Sequence, residues 1–344
     1  MPSNSTKILL LVTLVSGMLV SVSSNSWFSA WMGLEVNLMS FIPLMSNIKN
    51  MYNTEAALKY FIVQVLASAT LLFLVVMKAT TEGLFTMSAP ASYTPMIICT
   101  PLLLKSGAAP FHWWFPGVME GLSWENCTLL MTIQSAAPMM LMSYLIDASI
   151  FTSTIILTSV IVGSIGGMNQ TSMRKIMTYS SINHTGWMLA ALITGESMWI
   201  MYFAVYSTLV LTVTSIMSLS KTSFINQVLM TNSETTPMKF MMFTSLLSLG
   251  GLPPFLGFLP KWIVIQAMIT NNMSPLMALM VITSLITLYY YLKICYSSFM
   301  ILTTEPKWNM QTNKTTKTTN ISAMILSSIS LTGLTLSTLV TNMY

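Results

Sequence analysis

The sequence predicts an all-α, polytopic membrane protein, on three observations. Of its 344 residues 54% are hydrophobic and only 7% charged, far below the roughly 25% charge of a water-soluble domain. The apolar residues gather into eleven windows joined by short segments. Two of those windows, 144 positions apart, are broken by one shared pattern, GxxPFxxxxP, at Gly107 to Pro116 and again at Gly251 to Pro260.

The first three spans are expected near 7–23, 27–48 and 57–77, each close to the ~20 apolar residues a helix needs to cross a bilayer. The fourth, 92–119, contains the first break. A proline inside a helix removes a hydrogen bond and clashes with the preceding turn, so this span should divide into two half-helices. In lipid, such a division is tolerated only around protein or water. Spans five to eight follow at 126–146, 150–167, 172–194 and 198–220, the ninth at 239–270 with the second break, and the last two at 275–300 and 321–341. The longest polar connection, 303–320, leaves no room for an extramembrane domain. The chemistry is therefore expected inside the bilayer.

The broken spans are the fourth and the ninth, and the odd offset makes them cross the membrane in opposite directions. The expected organisation is two inverted five-helix repeats, residues 1–149 and 150–301, with a polar loop and last helix at 302–344. Inverted repeats with discontinuous helices are the architecture of secondary transporters and ion-translocating subunits. Ten of the fourteen basic residues fall at the helix ends on the side of the N-terminus: Lys7, Lys49, Lys59, Arg174, Lys175, Lys221, Lys239, Lys307, Lys314 and Lys317. The opposite side has Lys78. The N-terminus is thereby assigned to the cytoplasm-like compartment and the C-terminus to the other. The net charge of +5 is topological, and no nucleic-acid partner is expected.

Cys99, Cys127 and Cys295 are far apart, with no CxxC and no histidine at metal-ligand spacing, and read as small core residues. No GxGxxG, P-loop or iron–sulfur spacing occurs, so the chain itself is expected to hold no nucleotide, metal or redox cofactor.

An ionisable side chain at the bilayer centre costs roughly 2.5–3.5 kcal/mol or more, so each needs a partner or a purpose. Glu35 lies about eight residues, or roughly 12 Å, into the second span, and Lys105 precedes the first break. At matched depth the two can neutralise one another, as a relay pair or as a structural ion pair. His184, in YSSINHTGWML, falls near mid-membrane beside Ser180, Ser181, Asn183 and Thr185. It is a proton-relay candidate or a hydrogen-bonded core histidine. His112, within the first break, is the weaker candidate, since Trp113 and Trp114 equally suggest packing. Lys261 follows Pro260, where unpaired carbonyls supply polar surroundings; it is a shuttle or a lysine that snorkels to an interface.

WMGLEVN, KSGAAPFHWWFP, GGMNQTSMRKIMTYSSINHTGWM and GLPPFLGFLPKW resemble the antiporter-like membrane subunits of respiratory complex I, NADH:ubiquinone oxidoreductase, a family related to sodium/proton exchangers. The resemblance runs over nearly the whole chain, and its eleven spans agree with the animal form, which lacks the first three of the bacterial fourteen. It implies a proton-translocating subunit of the mitochondrial inner membrane, N-terminus in the matrix and C-terminus in the intermembrane space, packed against lipid and neighbouring antiporter-like subunits. NADH, FMN, iron–sulfur clusters and ubiquinone would belong to those partners. It also implies a proton relay of Glu35, Lys105, His184 and Lys261. Where the family has QKxAP, this chain reads QSAAP, with Ser135 in place of a lysine. Two alternatives stay open: a structural subunit of the same complex that does not pump, and a stand-alone cation/proton exchanger. The 33 methionines, and the lack of a presequence before the first span, fit an organelle gene.

Overall fold

The computed structural model describes residues 4–46, 50–82, 94–230, 236–300 and 324–333. The described residues are helical throughout their regular structure, apart from one isolated bridge between Ser172 and Phe224. The chain forms two compact units, Met1–Ser159 and Val160–Tyr344.

In the first unit, α1 (Asn4–Val22), α2 (Trp27–Met45) and α3 (Met51–Glu82) are followed by the first broken span, α4 (Thr94–Ser106) and α5 (Trp114–Gly121). Next come α6 (Trp124–Met131) and α7 (Ile133–Ser143), then α8 (Ile150–Gly167), which carries the unit boundary. In the second unit, α9 (Met173–Thr194), α10 (Glu196–Ser220) and the short α11 (Ile225–Met230) precede the second broken span, α12 (Thr236–Gly250) and α13 (Phe258–Thr270). The long α14 (Ser274–Met300) follows. Among the described residues six helices, α1, α2, α3, α8, α10 and α14, are long and apolar enough to cross a membrane. Of the predicted last span the described part is the apolar helix Met324–Gly333. The predicted polar segment 303–320, with Lys307, Lys314 and Lys317, lies outside the described residues, as does Lys49.

The outward faces are as apolar as the core. Ile8, Leu9, Val12 and Leu19 of α1 and Ile282 and Leu285 of α14 are exposed, while Phe41, Tyr60, Leu102, Trp187 and Tyr202 are buried. In water that surface would be a large aggregation-prone patch; in lipid it is solvated.

One helix crossing is built twice. A side-chain carbon placed on Gly17 of α1 would lie 2.8 Å from the Asn37 nitrogen of α2, and one on Gly163 of α8 would lie 2.5 Å from the Asn183 nitrogen of α9. Both members of the pair are displaced by 146 residues. Small residues let two backbones meet where no hydrophobic force draws helices together. Gly163→Val places its side chain against backbone, which cannot swing aside. It is expected to cost about 1–3 kcal/mol, read as a lower melting temperature in detergent; an unchanged transition would show that α8 and α9 do not need this crossing.

Two elements depart from expectation. The predicted continuous span at 126–146 is interrupted at Thr132, where α6 stops and ψ swings to −75°. Pro138, further along α7, leaves the Gln134 carbonyl without its helical donor, and its ring crowds the turn before it. Ser135 Oγ donates to the carbonyls of Met131 (2.8 Å) and Thr132 (2.9 Å) and partly satisfies the disturbed turn. The six-residue α11 was not expected; its N-terminal turn is held by Gln227 Oε1, which accepts from Ser223 N at 2.8 Å.

Candidate functional sites at the two helix breaks

The two breaks have the same backbone. α4 ends as Gly107 turns to φ 74°, and α12 ends as Gly251 turns to φ 82°. Glycine enters this left-handed region without the penalty a side chain would bring, and so closes a helix. Gly107 and Ala108 both donate to the Leu103 carbonyl, at 3.0 and 3.2 Å, and Gly251 and Leu252 both donate to that of Leu247, at 3.1 and 3.4 Å. A cis X-Pro bond follows in each, at Ala109–Pro110 and Pro253–Pro254. Then Phe111 N donates to Ala108 O, and Phe255 N to Leu252 O, both at 2.9 Å. The repeated pattern in the sequence is a repeated structure.

A broken helix leaves carbonyls that must find donors inside the protein. In the first unit neutral donors take them. Trp114 Nε1 donates to Leu104 O at 3.1 Å, Gln64 Nε2 to Lys105 O at 3.4 Å, and Thr158 Oγ1 to Ala109 O at 3.3 Å. The Lys105 side chain is only 6% exposed. Glu35, half-buried on α2, interacts with it through charge, without a hydrogen bond between the two side chains. Two residues on from Glu35, Asn37 Oδ1 accepts from Gln134 Nε2 of α7 at 3.0 Å.

In the second unit ionisable side chains take the corresponding places. Lys261 Nζ donates to Gly250 O at 2.8 Å, and its ammonium stands 5.9 Å from the centre of the Trp187 ring. His184 Nδ1 lies 2.9 Å from the Tyr202 hydroxyl, and the same imidazole faces the backbone of Leu249. Leu249 is the positional equivalent of Lys105, 144 residues on. Its carbonyl meets a histidine where that of Lys105 meets the Gln64 amide. Lys261 is thus held on the Gly250 carbonyl with His184 beside the backbone of Leu249, close enough for their charges to interact.

The two lysines sit in unlike surroundings. Glu35 stands by Lys105, whereas the only carboxylate among the described residues of the second unit is Glu196, exposed at the start of α10. Lys261 is surrounded instead by neutral groups: Trp187, and Tyr291, whose ring reaches Gly250. The serines of α9 beside His184 spend their hydrogens within the helix, Ser180 Oγ on Met177 O and Ser181 Oγ on Thr178 O. Their lone pairs remain as acceptors.

Glu35 is brought to Lys105, and His184 to Lys261. His112 is buried and stacks on Trp113 with ring centres 4.9 Å apart, its Nδ1 without a direct partner. Sequence reasoning passed over Gln64, Asn37 and the tyrosines Tyr202, Tyr206, Tyr290 and Tyr291, all buried. A signal existed for one of them: Tyr206 lies 146 residues after Tyr60, the same displacement as the repeated helix crossing. Among the described residues no group of three or more His, Cys, Asp or Glu is placed to hold a metal, and Cys99, Cys127 and Cys295 are buried and outside any disulfide.

Residues 24–287 match the family model described as NADH:quinone oxidoreductase/Mrp antiporter, transmembrane. The NADH-ubiquinone oxidoreductase chain 2 of Anopheles gambiae is 48% identical over 325 residues, covering 94% of this chain and 94% of that protein. The chain 2 of Locusta migratoria is 45% identical over 337 residues, 97% of this chain and 96% of that one. Among solved structures, a chain of the Thermus thermophilus respiratory complex I with bound aureothin superposes with a TM-score of 0.83 at 22% identity, covering 95% of this chain and 78% of that one. A chain of the Mrp complex of a Dietzia species gives 0.80 at 16% identity, covering 96% and 75%. At these identities the superpositions speak for the fold.

Proposed function

The chain belongs to the NADH:quinone oxidoreductase/Mrp antiporter transmembrane family, and from that premise we propose that it carries protons across the mitochondrial inner membrane as a membrane-arm subunit of complex I. The observation that supports this reading best is the pairing of each helix break with a buried lysine, held at 6% exposure for Lys105 and 5% for Lys261. A membrane protein retains such groups for charge movement.

Glu35 and Lys105 form the charge pair of the first repeat, residues 1–149, and His184 and Lys261 form the relay of the second, residues 150–301. A proton reaching Glu35 weakens its hold on Lys105, which frees the lysine's proton to move on. In the second repeat the proton passes between an imidazole and an amine on neighbouring carbonyls. The direction is from matrix to intermembrane space, with the N-terminus in the matrix. Moving one charge against the potential costs about 2.3 kcal/mol per 100 mV. The energy comes from oxidation of NADH and reduction of ubiquinone in partner subunits that carry FMN and the iron–sulfur clusters.

The test is Lys105→Met in the assembled complex, reconstituted in vesicles. The number of protons moved per NADH oxidised is expected to fall. An unchanged ratio would leave this chain the role of a structural subunit, and pumping by the isolated chain in response to sodium would make it an exchanger.

A further inference from the structure

The second unit has two buried lysines, Lys239 and Lys261, a buried histidine and no buried carboxylate among its described residues. Something else must set which nitrogen of His184 carries the proton, and the nearest polar group is Tyr202. Its hydroxyl lies 2.9 Å from Nδ1, and both residues are buried. Tyr206, one helical turn along α10, packs its ring against the imidazole with centres 5.0 Å apart and turns its hydroxyl toward Ser181. The imidazole is therefore fixed on one face by an aromatic ring and at one edge by a phenol. Its other side faces Leu249, next to the carbonyl that holds Lys261.

We propose that Tyr202 is a positioning residue of the proton relay: by donating to Nδ1 it keeps the mobile proton of neutral His184 on Nε2, turned toward the helix break and Lys261. This rests on the reading of His184 as a relay group. An imidazole has one acceptor and one donor nitrogen when neutral. The reverse tautomer would place Nδ1–H on the phenol oxygen and leave Nε2 as an acceptor facing a carbonyl acceptor, two lone pairs opposed in a low-dielectric interior. A phenol can donate in every neutral state, which a carboxylate cannot. Tyr202 orients the ring without adding a second charge beside Lys261.

Phenol hydroxyls continue beyond this pair. Tyr290 and Tyr291 of α14 are buried with ring centres 4.7 Å apart, their hydroxyls turned toward each other and that of Tyr291 also toward Ser180. Asn183 Oδ1, on the same helix as His184 and 1% exposed as a residue, has no direct hydrogen-bond partner. Its repeat equivalent Asn37 is satisfied by Gln134. Buried polar groups of this kind are met by ordered water.

The experiment compares Tyr202→Phe, His184→Gln and, as control, Tyr289→Phe, which alters a residue 56% exposed on the outer face of α14. Each is made in the assembled complex and reconstituted in vesicles. Two quantities are read: protons moved per NADH oxidised, and the infrared ring-stretch bands of isotope-labelled histidine, which distinguish the two neutral tautomers. Tyr202→Phe keeps the ring and removes the hydroxyl. The expected result is a shift of about tenfold in the tautomer ratio, equivalent to about 1.4 kcal/mol, with a reduced proton yield and normal assembly. If His184→Gln lowers the yield while Tyr202→Phe changes neither quantity, Tyr202 has no positioning role and the relay stands. If His184→Gln leaves the yield unchanged, the relay reading itself fails. A tautomer shift with full proton yield would overturn the link between the two.

Discussion

Lys261→Met is expected to slow proton transfer through the second unit by about 100-fold or more, the usual worth of a positioned acid–base group, while the complex still assembles. Methionine fills nearly the same space, so packing against Trp187 survives. What is lost is the donor on Gly250 O, 2.8 Å away, and the cation over the indole. An orphaned carbonyl costs about 1–3 kcal/mol, and removal of an uncompensated buried charge offsets part of that. Proton yield should therefore fall far more than thermal stability. The check is the number of protons moved per NADH oxidised, beside the melting transition of the same preparation. Equal yields in variant and parent would remove Lys261 from the pathway. A collapse of assembly would show that the ammonium is chiefly a structural plug for the broken helix.

Where the chain is broken was legible from residues alone, because the signal is local. Gly107 and Pro110 act on their own turn, as do Gly251 and Pro254, and the resulting hydrogen bonds match to within a few tenths of an ångström. The long apolar windows were legible for the same reason: helices α1 to α3 and α8 to α10 begin and end within a few residues of the expected bounds, apart from the longer α3. The interruption at Thr132 was not visible, since no glycine or proline lies at that turn. The partners of the lysines were less legible still. Gln64 reaches Lys105 O across 41 residues, and Lys261 reaches Gly250 O only because the break folds α13 back toward the end of α12. Tyr202 looked like one more aromatic in an apolar helix. Only the fold shows its hydroxyl directed at an imidazole.

The repeat carries a further lesson about the two centres. Equivalent carbonyls meet Gln64 in the first unit and His184 in the second, so similar breaks differ in whether their caps can titrate. In the first unit the charged groups are side chains set off from the break's carbonyls, Lys105 of α4 and Glu35 of α2, whose charges interact. Charge compensation is then a property of that pair.

Glu35→Gln is accordingly expected to damage the complex before it damages the chemistry. Without its carboxylate, Lys105 keeps a charge in an interior where it is 6% exposed. Breaking a fully buried pair costs roughly 3–5 kcal/mol, and the figure here should fall below that because Glu35 is half-buried. The amount of assembled complex on native electrophoresis should drop. Adding Lys105→Met removes the stranded charge as well, and the double variant Glu35→Gln/Lys105→Met should assemble better than Glu35→Gln alone. Pumping separates the two meanings of the pair, because the double variant recovers assembly but not proton yield. Two effects that simply add would show that the residues are not energetically coupled. Recovery of both assembly and yield would make Glu35 and Lys105 a structural ion pair, and would move the first unit's proton path to other groups.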